Sequence, residues 1–216
     1  MQILRARLKC AAESLEDLGR FYGGLPARVG VTEIEFEPVE GARPFYHFAL
    51  RVPKNRFDEA RAWLAGRSPL LADAGGDTTF EFDFWDAQAC YALDPGDNIL
   101  ELVAHRQLPE ESGVEGPFSA AELLGMCELG LVVQSRRQAA EALAPLGIEM
   151  RSGTLDEPGR LAFMGTLETA LILSEPGRGW MPTDRPAEPW PVDVTVTGAT
   201  DGEVTLAPGH RVTVER

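Results

Sequence analysis

Two stretches of sequence are the most informative about the fold: Phe45-Tyr-His-Phe-Ala-Leu-Arg-Val52 and Tyr91-Ala-Leu-Asp-Pro-Gly-Asp-Asn-Ile-Leu-Glu-Leu102. The first is an apolar run that is typical of a buried strand. In the second, Pro95 and Gly96 suit the central positions of a type II turn. The sequence therefore predicts an antiparallel hairpin that joins a strand over residues 87–93 to one over residues 98–105.

Alternation along these strands predicts which side chains share a face, because successive side chains of a strand point to opposite sides. His47 falls on the face opposite to Leu50, and Glu101 falls on the face opposite to Leu102. We therefore predict that His47 and Glu101 both point away from the side of the sheet that the helices cover.

A strand-like run followed by a helical pattern occurs three times along the chain, which indicates an internal repeat. The three runs cover residues 5–10, 47–52 and 128–133, with Leu8, Leu50 and Leu131 in register. The helices are expected to begin at Ser14, near Asn55 and at about Ser135. Short extended runs follow each helix, so each unit is a β-α unit followed by two or three strands.

Units of this kind predict an α+β fold of paired βαβββ modules with curved mixed sheets around a cavity, because one sheet face of a single module needs a partner or a ligand to cover it. We expect units one and two to face each other, with unit three on a further sheet. The predicted boundaries are 1–44 for the first module, 45–106 for the second, 107–124 for a linker, and 125–216 for the third module with C-terminal strands.

The quoted stretches resemble the second module of the vicinal-oxygen-chelate superfamily, which includes glyoxalases, extradiol ring-cleaving dioxygenases and bleomycin-resistance proteins. In that superfamily an opening strand of the type H-F-A-x-x-V and a closing hairpin of the type D-P-x-G-N-x-x-E each supply one metal ligand. Trp85-Asp-Ala-Gln-Ala-Cys-Tyr91 and Gly179-Trp-Met-Pro182 resemble a bacterial three-module branch. The resemblance follows the order of elements well over residues 1–106 and more weakly over residues 125–216.

The resemblance implies that His47 and Glu101 are ligands of a divalent metal, which would be Fe, Mn, Ni or Zn. Glu35, Glu37 and Glu128 are further candidate ligands, while His105 is a spare imidazole nearby. The internal repeat places Arg5 where the first module of a dioxygenase would supply a histidine, and a guanidinium cannot ligate a cation. The alternatives are therefore a site with a metal and a site with none, in which His47 and Glu101 are structural residues.

Arg5 also has a functional interpretation, because a guanidinium in a cavity binds a carboxylate or phenolate in a bidentate manner. Trp85, Tyr91 and Trp180 could wall an apolar pocket for a flat ligand. We therefore take Arg5 and these three aromatic residues as candidate substrate-binding residues. Their alternative roles are an exposed arginine at the start of the chain and aromatic residues of the core.

The composition and net charge of the chain indicate which classes of partner it can bind. The chain has 216 residues, 44% hydrophobic residues and a formal net charge of −14, which is typical of a globular protein that repels nucleic acid and anionic lipid surfaces. The three cysteines show no metal or redox spacing, and no stretch has the apolar length of a membrane span. We therefore expect a cytoplasmic protein without disulfides, nucleic-acid partners or membrane partners, and a homodimer is compatible with the sequence.

Two functions from different classes fit these observations. One is a metal-assisted small-molecule enzyme of the glyoxalase or extradiol-dioxygenase type. The other is a metal-free small-molecule-binding protein of the resistance type, to which Arg5 at the first-ligand position would point. A structural or partner-binding protein of the same fold is a third alternative.

Overall fold

The computed structural model describes all residues, 1–216, and consists of two large mixed sheets with three short helices. The helices are α1 (Leu15–Tyr22), α2 (Phe57–Ala65) and α3 (Arg136–Leu143). The strands are β1 (Ile3–Ala11), β2 (Ala27–Val29), β3 (Thr32–Val39), β4 (His47–Arg51), β5 (Leu70–Leu71), β6 (Phe80–Phe82), β7 (Ala87–Leu93), β8 (Ile99–His105), β9 (Gly125–Val132), β10 (Met150–Gly153), β11 (Ala162–Gly165), β12 (Ala170–Ser174), β13 (Gly179–Trp180), β14 (Arg185–Pro186), β15 (Val192–Thr197), β16 (Gly202–Leu206) and β17 (His210–Glu215). The predicted α+β fold class is confirmed.

A nine-stranded sheet forms the centre of the molecule, in the order β10-β11-β12-β9-β4-β8-β7-β5 with β6 on β7. The first strands of units two and three, β4 and β9, lie side by side and antiparallel. Each has the last strand of its own unit as a parallel neighbour, β8 beside β4 and β12 beside β9. The sheet therefore has approximate two-fold symmetry about the β4–β9 pair.

The predicted pairing of units one and two is wrong, because unit one belongs to a different sheet. That second sheet has the order β16-β17-β15-β1-β3-β2, in which β1 pairs antiparallel with β15. The C-terminal strands thus take the place beside unit one that unit two was expected to take. The same arrangement recurs there, since β3 is parallel to β1 and β17 is parallel to β15.

The main core lies between the two large sheets and includes the apolar faces of the helices. Phe48, Leu50, Leu100 and Leu102 point into it, and each is at most 1% exposed. The opposite face of the nine-stranded sheet carries a smaller apolar cluster that includes Ala49, Val103 and Trp180. His47 and Glu101 belong to this second face, which leaves the main core free of their polar groups.

The hairpin between β7 and β8 forms, although its turn differs from the predicted type. The amide of Asp97 donates to the carbonyl of Asp94 at 2.9 Å, and the left-handed residue is Asp97 (φ 61°) rather than Gly96. Aspartate tolerates this conformation better than most side chains. The buried carboxylate of Asp94 accepts hydrogen bonds from the backbone amides of Gly96 and Asn98, so it stabilises the turn.

Tyr46 links the two sheets just before β4. Its hydroxyl accepts a hydrogen bond from the backbone amide of Lys9 at 3.0 Å and donates to the carbonyl of Pro191 at 2.9 Å. Its own amide donates to the side chain of Asn98. These bonds fix the start of β4, and therefore the position of His47, relative to both β1 and β8.

Candidate functional site

Three side chains with metal-ligating groups meet on the second face of the nine-stranded sheet. Ligand atoms of His47, Glu101 and Glu128 all lie within 4.8 Å of one another. His47 and Glu101 are buried, and Glu128 is partly buried. One nitrogen and two carboxylates are a donor set that suits a divalent transition metal such as Mn, Fe, Ni or Zn.

The fold brings these three residues together from adjacent strands. His47 begins β4, and Glu101 and Glu128 lie in the first halves of β8 and β9. In the internal repeat His47 and Glu128 occupy equivalent positions, each three residues before the matched leucines Leu50 and Leu131.

The two-fold symmetry also identifies the position at which a fourth ligand would be expected. Ala49 lies beside Glu101 in the β4–β8 pair, and Gly130 lies beside Ile172 in the equivalent β9–β12 pair. Ile172 therefore stands at the position that corresponds to Glu101. The site has three candidate ligand groups and an apolar side chain in the fourth place, which would leave coordination positions of a bound metal open toward the cavity.

The imidazole of His47 is held by stacking and by one hydrogen bond. Its ring lies 5.0 Å from the ring of Trp180 at an angle of 20°, and its Nε2 is 3.0 Å from Oε2 of Glu101. Nδ1 has no hydrogen-bond partner. The orientation of the ring therefore depends on Trp180 and Glu101, and Nε2 is the nitrogen that faces the other candidate ligands.

Burial determines the protonation of the site. It raises the pKa of Glu101 to about 8, against the opposing effect of a hydrogen bond with Tyr91. Burial, followed by the charge of Glu101, raises the pKa of Glu128 to about 8. Burial lowers the pKa of His47 to about 4. Without a cation the folded chain thus favours the uncharged form of all three groups near neutral pH.

A cavity of about 200 Å³ lies above these groups. Its walls are mostly apolar and aromatic, and its polar side chains are the three candidate ligands, Tyr91, His105 and Arg178. The apolar and aromatic lining residues are Phe82, Trp85, Ala87, Val103, Leu161, Phe163, Ile172, Trp180 and Met181. An apolar cavity with a few convergent polar groups is the usual form of a small-molecule site.

The structure brings most of the sequence-predicted residues to this cavity. His47, Glu101, Glu128, Trp85, Tyr91 and Trp180 all line it. Sequence reasoning missed Arg178, which lies in the irregular segment between β12 and β13, where no periodicity indicates the direction of a side chain. It also missed Phe82 and Phe163, which lie on short strands.

Arg5, Glu35 and Glu37 lie elsewhere, so the structure does not bring them to the site. All three lie in the six-stranded sheet, where Arg5 is 3.4 Å from Glu33, Glu35 is 2.8 Å from Arg7 and Glu37 is 2.7 Å from Lys9. The physical reason is the pairing of unit one with β15, which places these charged side chains in partly exposed cross-strand ion pairs. The expected approach of Arg5, Glu35 or Glu37 to His47 is therefore wrong.

The cysteines and the helices bear on two other sequence expectations, which concern disulfides and a membrane span. All three cysteines are buried and unpaired. None of the helices is both long and apolar enough to cross a membrane. Burial raises the pKa of the Cys10, Cys90 and Cys127 thiols, which disfavours a reactive thiolate at any of the three positions.

Comparison with known proteins gives a match at the level of structure. No family model matches the sequence, and no curated protein matches it. A Bacillus subtilis protein provisionally named a dioxygenase superposes with a TM-score of 0.58 at 14% identity, over 99% of this chain and 84% of that one. A point variant of glyoxalase I from Zea mays superposes with a TM-score of 0.51 at 13% identity, over 99% of this chain and 92% of that one. At these identities the similarity is one of fold.

Proposed function

We propose that this protein, which has the vicinal-oxygen-chelate fold, is a metal-dependent enzyme for a small substrate with two neighbouring oxygen atoms. The proposed metal ligands are His47, Glu101 and Glu128. The convergence of their ligand atoms within 4.8 Å at the end of an apolar cavity is the observation that carries the proposal.

The donor set fits a divalent cation on electrostatic grounds. Burial raises the pKa of both carboxyl groups, the charge of Glu101 raises that of Glu128 further, and no guanidinium or ammonium forms an ion pair with either of them. A divalent cation would compensate both negative charges at once. The three groups would then be ionised Glu101, ionised Glu128 and neutral His47, which is the state required of metal ligands.

When bound, such a metal supplies a Lewis acid that polarises the substrate oxygens. The residues of this chain would exclude water, orient the ligands and accept a proton. Trp180 covers His47 and keeps water from that side, Tyr91 orients Glu101, and Ile172 leaves the fourth ligand position to the substrate. Glu128 has no hydrogen-bond partner within the chain, so its carboxylate is the group best able to accept a proton from a bound substrate.

Elemental analysis of untagged protein purified without chelators tests this proposal. We expect about one transition-metal ion per chain, and its loss in His47→Ala and Glu128→Gln. His105→Gln is the matched control, because His105 lies on the same strand as Glu101 and lines the same cavity without belonging to the cluster. Metal-free wild-type protein that cannot be reloaded with Mn, Fe, Ni or Zn would refute the proposal.

A metal-free small-molecule-binding protein is the second candidate, and the 3.0 Å contact between His47 and Glu101 favours it. A protonated Glu101 that donates to Nε2 of a neutral His47 would form an uncharged hydrogen-bonded pair without a cation. In that case the cavity would bind an apolar ligand and the variants above would change ligand affinity rather than metal content.

A further inference from the structure

Arg178 is a cation in the cavity without a carboxylate partner. Burial lowers the pKa of Arg178, against the opposing effect of the Asp184 charge, and no carboxylate forms an ion pair with its guanidinium. The side chain is partly buried and lines the cavity together with His47 and Glu128. A half-buried guanidinium without an anion loses hydration and gains no charge pairing, which is unfavourable unless a ligand supplies the anion.

Most other arginines of the chain, unlike Arg178, have a polar or charged partner. The formal net charge is −14, and most arginines form an ion pair or donate a side-chain hydrogen bond. Three arginines do neither, and their guanidinium groups instead approach tryptophan rings: Arg67, Arg151 and Arg178. One of these three, Arg178, lines the cavity, and Arg151 stacks 4.4 Å from the ring of Trp85, a residue of the cavity wall.

These two arginines set the charge of the cavity whether or not a metal is present. With a metal, the charges of two ionised carboxylates and a divalent cation sum to zero. Without a metal, two protonated carboxyl groups and a neutral imidazole also have a net charge of zero. Arg178 and Arg151 then remain as the net positive charge beside apolar walls. A low-dielectric wall strengthens the attraction between such a charge and an anion.

The shape of the cavity limits the ligand further. Trp85 and Phe163 lie 4.9 Å apart at the wall and provide flat apolar surfaces. The volume of about 200 Å³ is below the roughly 300 Å³ at which pockets for drug-sized ligands begin. A compact planar molecule fits these walls better than a long or strongly polar one.

We propose that the ligand of this cavity is a small planar carboxylate whose anion binds the guanidinium of Arg178. This inference rests on the proposed function for the identity of the site, because the other end of the same ligand would reach His47, Glu101 and Glu128. Arg178 is thus a specificity-determining residue, and Arg151 adds to the attraction from the rim.

Tryptophan fluorescence titration with benzoate and with its uncharged analogue benzamide tests the proposal, since Trp180 and Trp85 report on the cavity. Wild-type protein should bind benzoate more tightly than benzamide. Arg178→Gln should lower benzoate affinity by about tenfold or more, as expected for a lost charge-assisted hydrogen bond, and should leave benzamide affinity unchanged. Arg67→Gln is the matched control, because Arg67 also stacks on a tryptophan but lies outside the cavity, and it should change neither affinity.

The titrations are run on EDTA-treated protein and on Mn²⁺-loaded protein, which separates this inference from the proposed function. A preference for benzoate that depends on Arg178 in EDTA-treated protein supports the inference even if no metal binds. Equal affinity for the two probes, a preference that survives in Arg178→Gln, or no binding of either probe would overturn it. Mn²⁺ binding without any preference for benzoate would uphold the proposed function and overturn the inference.

Discussion

The buried carboxyl group of Glu101 is unfavourable for the stability of the metal-free fold. Its carboxyl group is buried on a strand whose other side chains are apolar, and burial raises its pKa to about 8. Natural cores avoid such groups unless they are paired or coordinate a metal. Glu101 and Glu128 would then be destabilising as free carboxylates and would be stabilised by a bound cation.

This arrangement predicts the pH dependence of stability of the metal-free protein. Between the ordinary pKa of 4.5 and the raised pKa of about 8, the folded chain holds protons on Glu101 and Glu128 that the unfolded chain has released. The free energy of unfolding should therefore fall as the pH rises, by on the order of 1–2 kcal/mol per carboxyl from about pH 6.5 to about pH 9. Urea denaturation at a series of pH values in EDTA measures this change.

Glu101→Gln provides the control for that experiment. The variant has one fewer titrating carboxyl, so its stability should fall less steeply over the same pH range. Addition of a metal that binds should remove most of the decline in the wild-type protein, because the cation stabilises the ionised carboxylates. A wild-type stability that is flat between neutral and alkaline pH would show that the two carboxyl groups are not perturbed as described.

The sequence could predict the face of His47 and Glu101 but not the arginine of the cavity. Alternation has a period of two residues along a regular strand, and both β4 and β8 are regular over the relevant positions. Arg178 lies outside any regular element, and its position depends on the tertiary path of residues 175–178. Arg5 was misplaced because strand alternation gives the face of a residue within a sheet and not the identity of the neighbouring strand.

At the scale of elements, the approach of β13 to β9 is the contact that closes the cavity. A side chain at Gly130 would place its Cβ only 2.8 Å from Cη2 of Trp180. Gly130 therefore permits the indole to lie against the sheet and stack on His47. In the internal repeat Gly130 is equivalent to Ala49, so the absence of a side chain is confined to the unit that Trp180 covers.

Gly130→Ala should displace Trp180 from His47. We expect a loss of about 1–3 kcal/mol in the free energy of unfolding, the usual range for overpacking a buried contact. We also expect a red shift of the tryptophan emission, because the 3% exposure of Trp180 would increase. Unchanged stability and emission would indicate that the indole does not pack against β9.

Gly198→Ala serves as a comparison, since a Cβ there would clash with Val214 in the other sheet. It should lower stability in the same way while leaving Trp180 emission unchanged. The difference between the two variants isolates the cavity contact from the general effect of overpacking.

At the scale of the whole molecule, the chain uses one pairing scheme twice. In each large sheet the first strands of two units lie antiparallel at the centre, and each has a parallel partner from its own unit. The internal repeat predicted three such units. It could not predict which units pair, because the three opening strands have similar patterns and the C-terminal strands that complete unit one carry no helix.

The pairing determines where a site can form. Units two and three leave the face around β4 and β9 open on one side and so create the cavity, whereas the face of β1 that carries Arg5 supports surface ion pairs. The resemblance in residues 45–106 thus predicted that His47 and Glu101 share a face, and it assigned the partner module to unit one, whereas the neighbouring unit in the sheet is unit three. Glu128, at the repeat position that matches His47, is the residue from the true partner.

Anomalous diffraction from crystals grown with Mn²⁺ would locate a metal and its ligands in one measurement, and so tests whether His47, Glu101 and Glu128 form a metal site. We expect a single strong peak within about 2.5 Å of Nε2 of His47 and of one oxygen from each of Glu101 and Glu128. No peak at this position, with the 3.0 Å hydrogen bond between His47 and Glu101 intact, would contradict it.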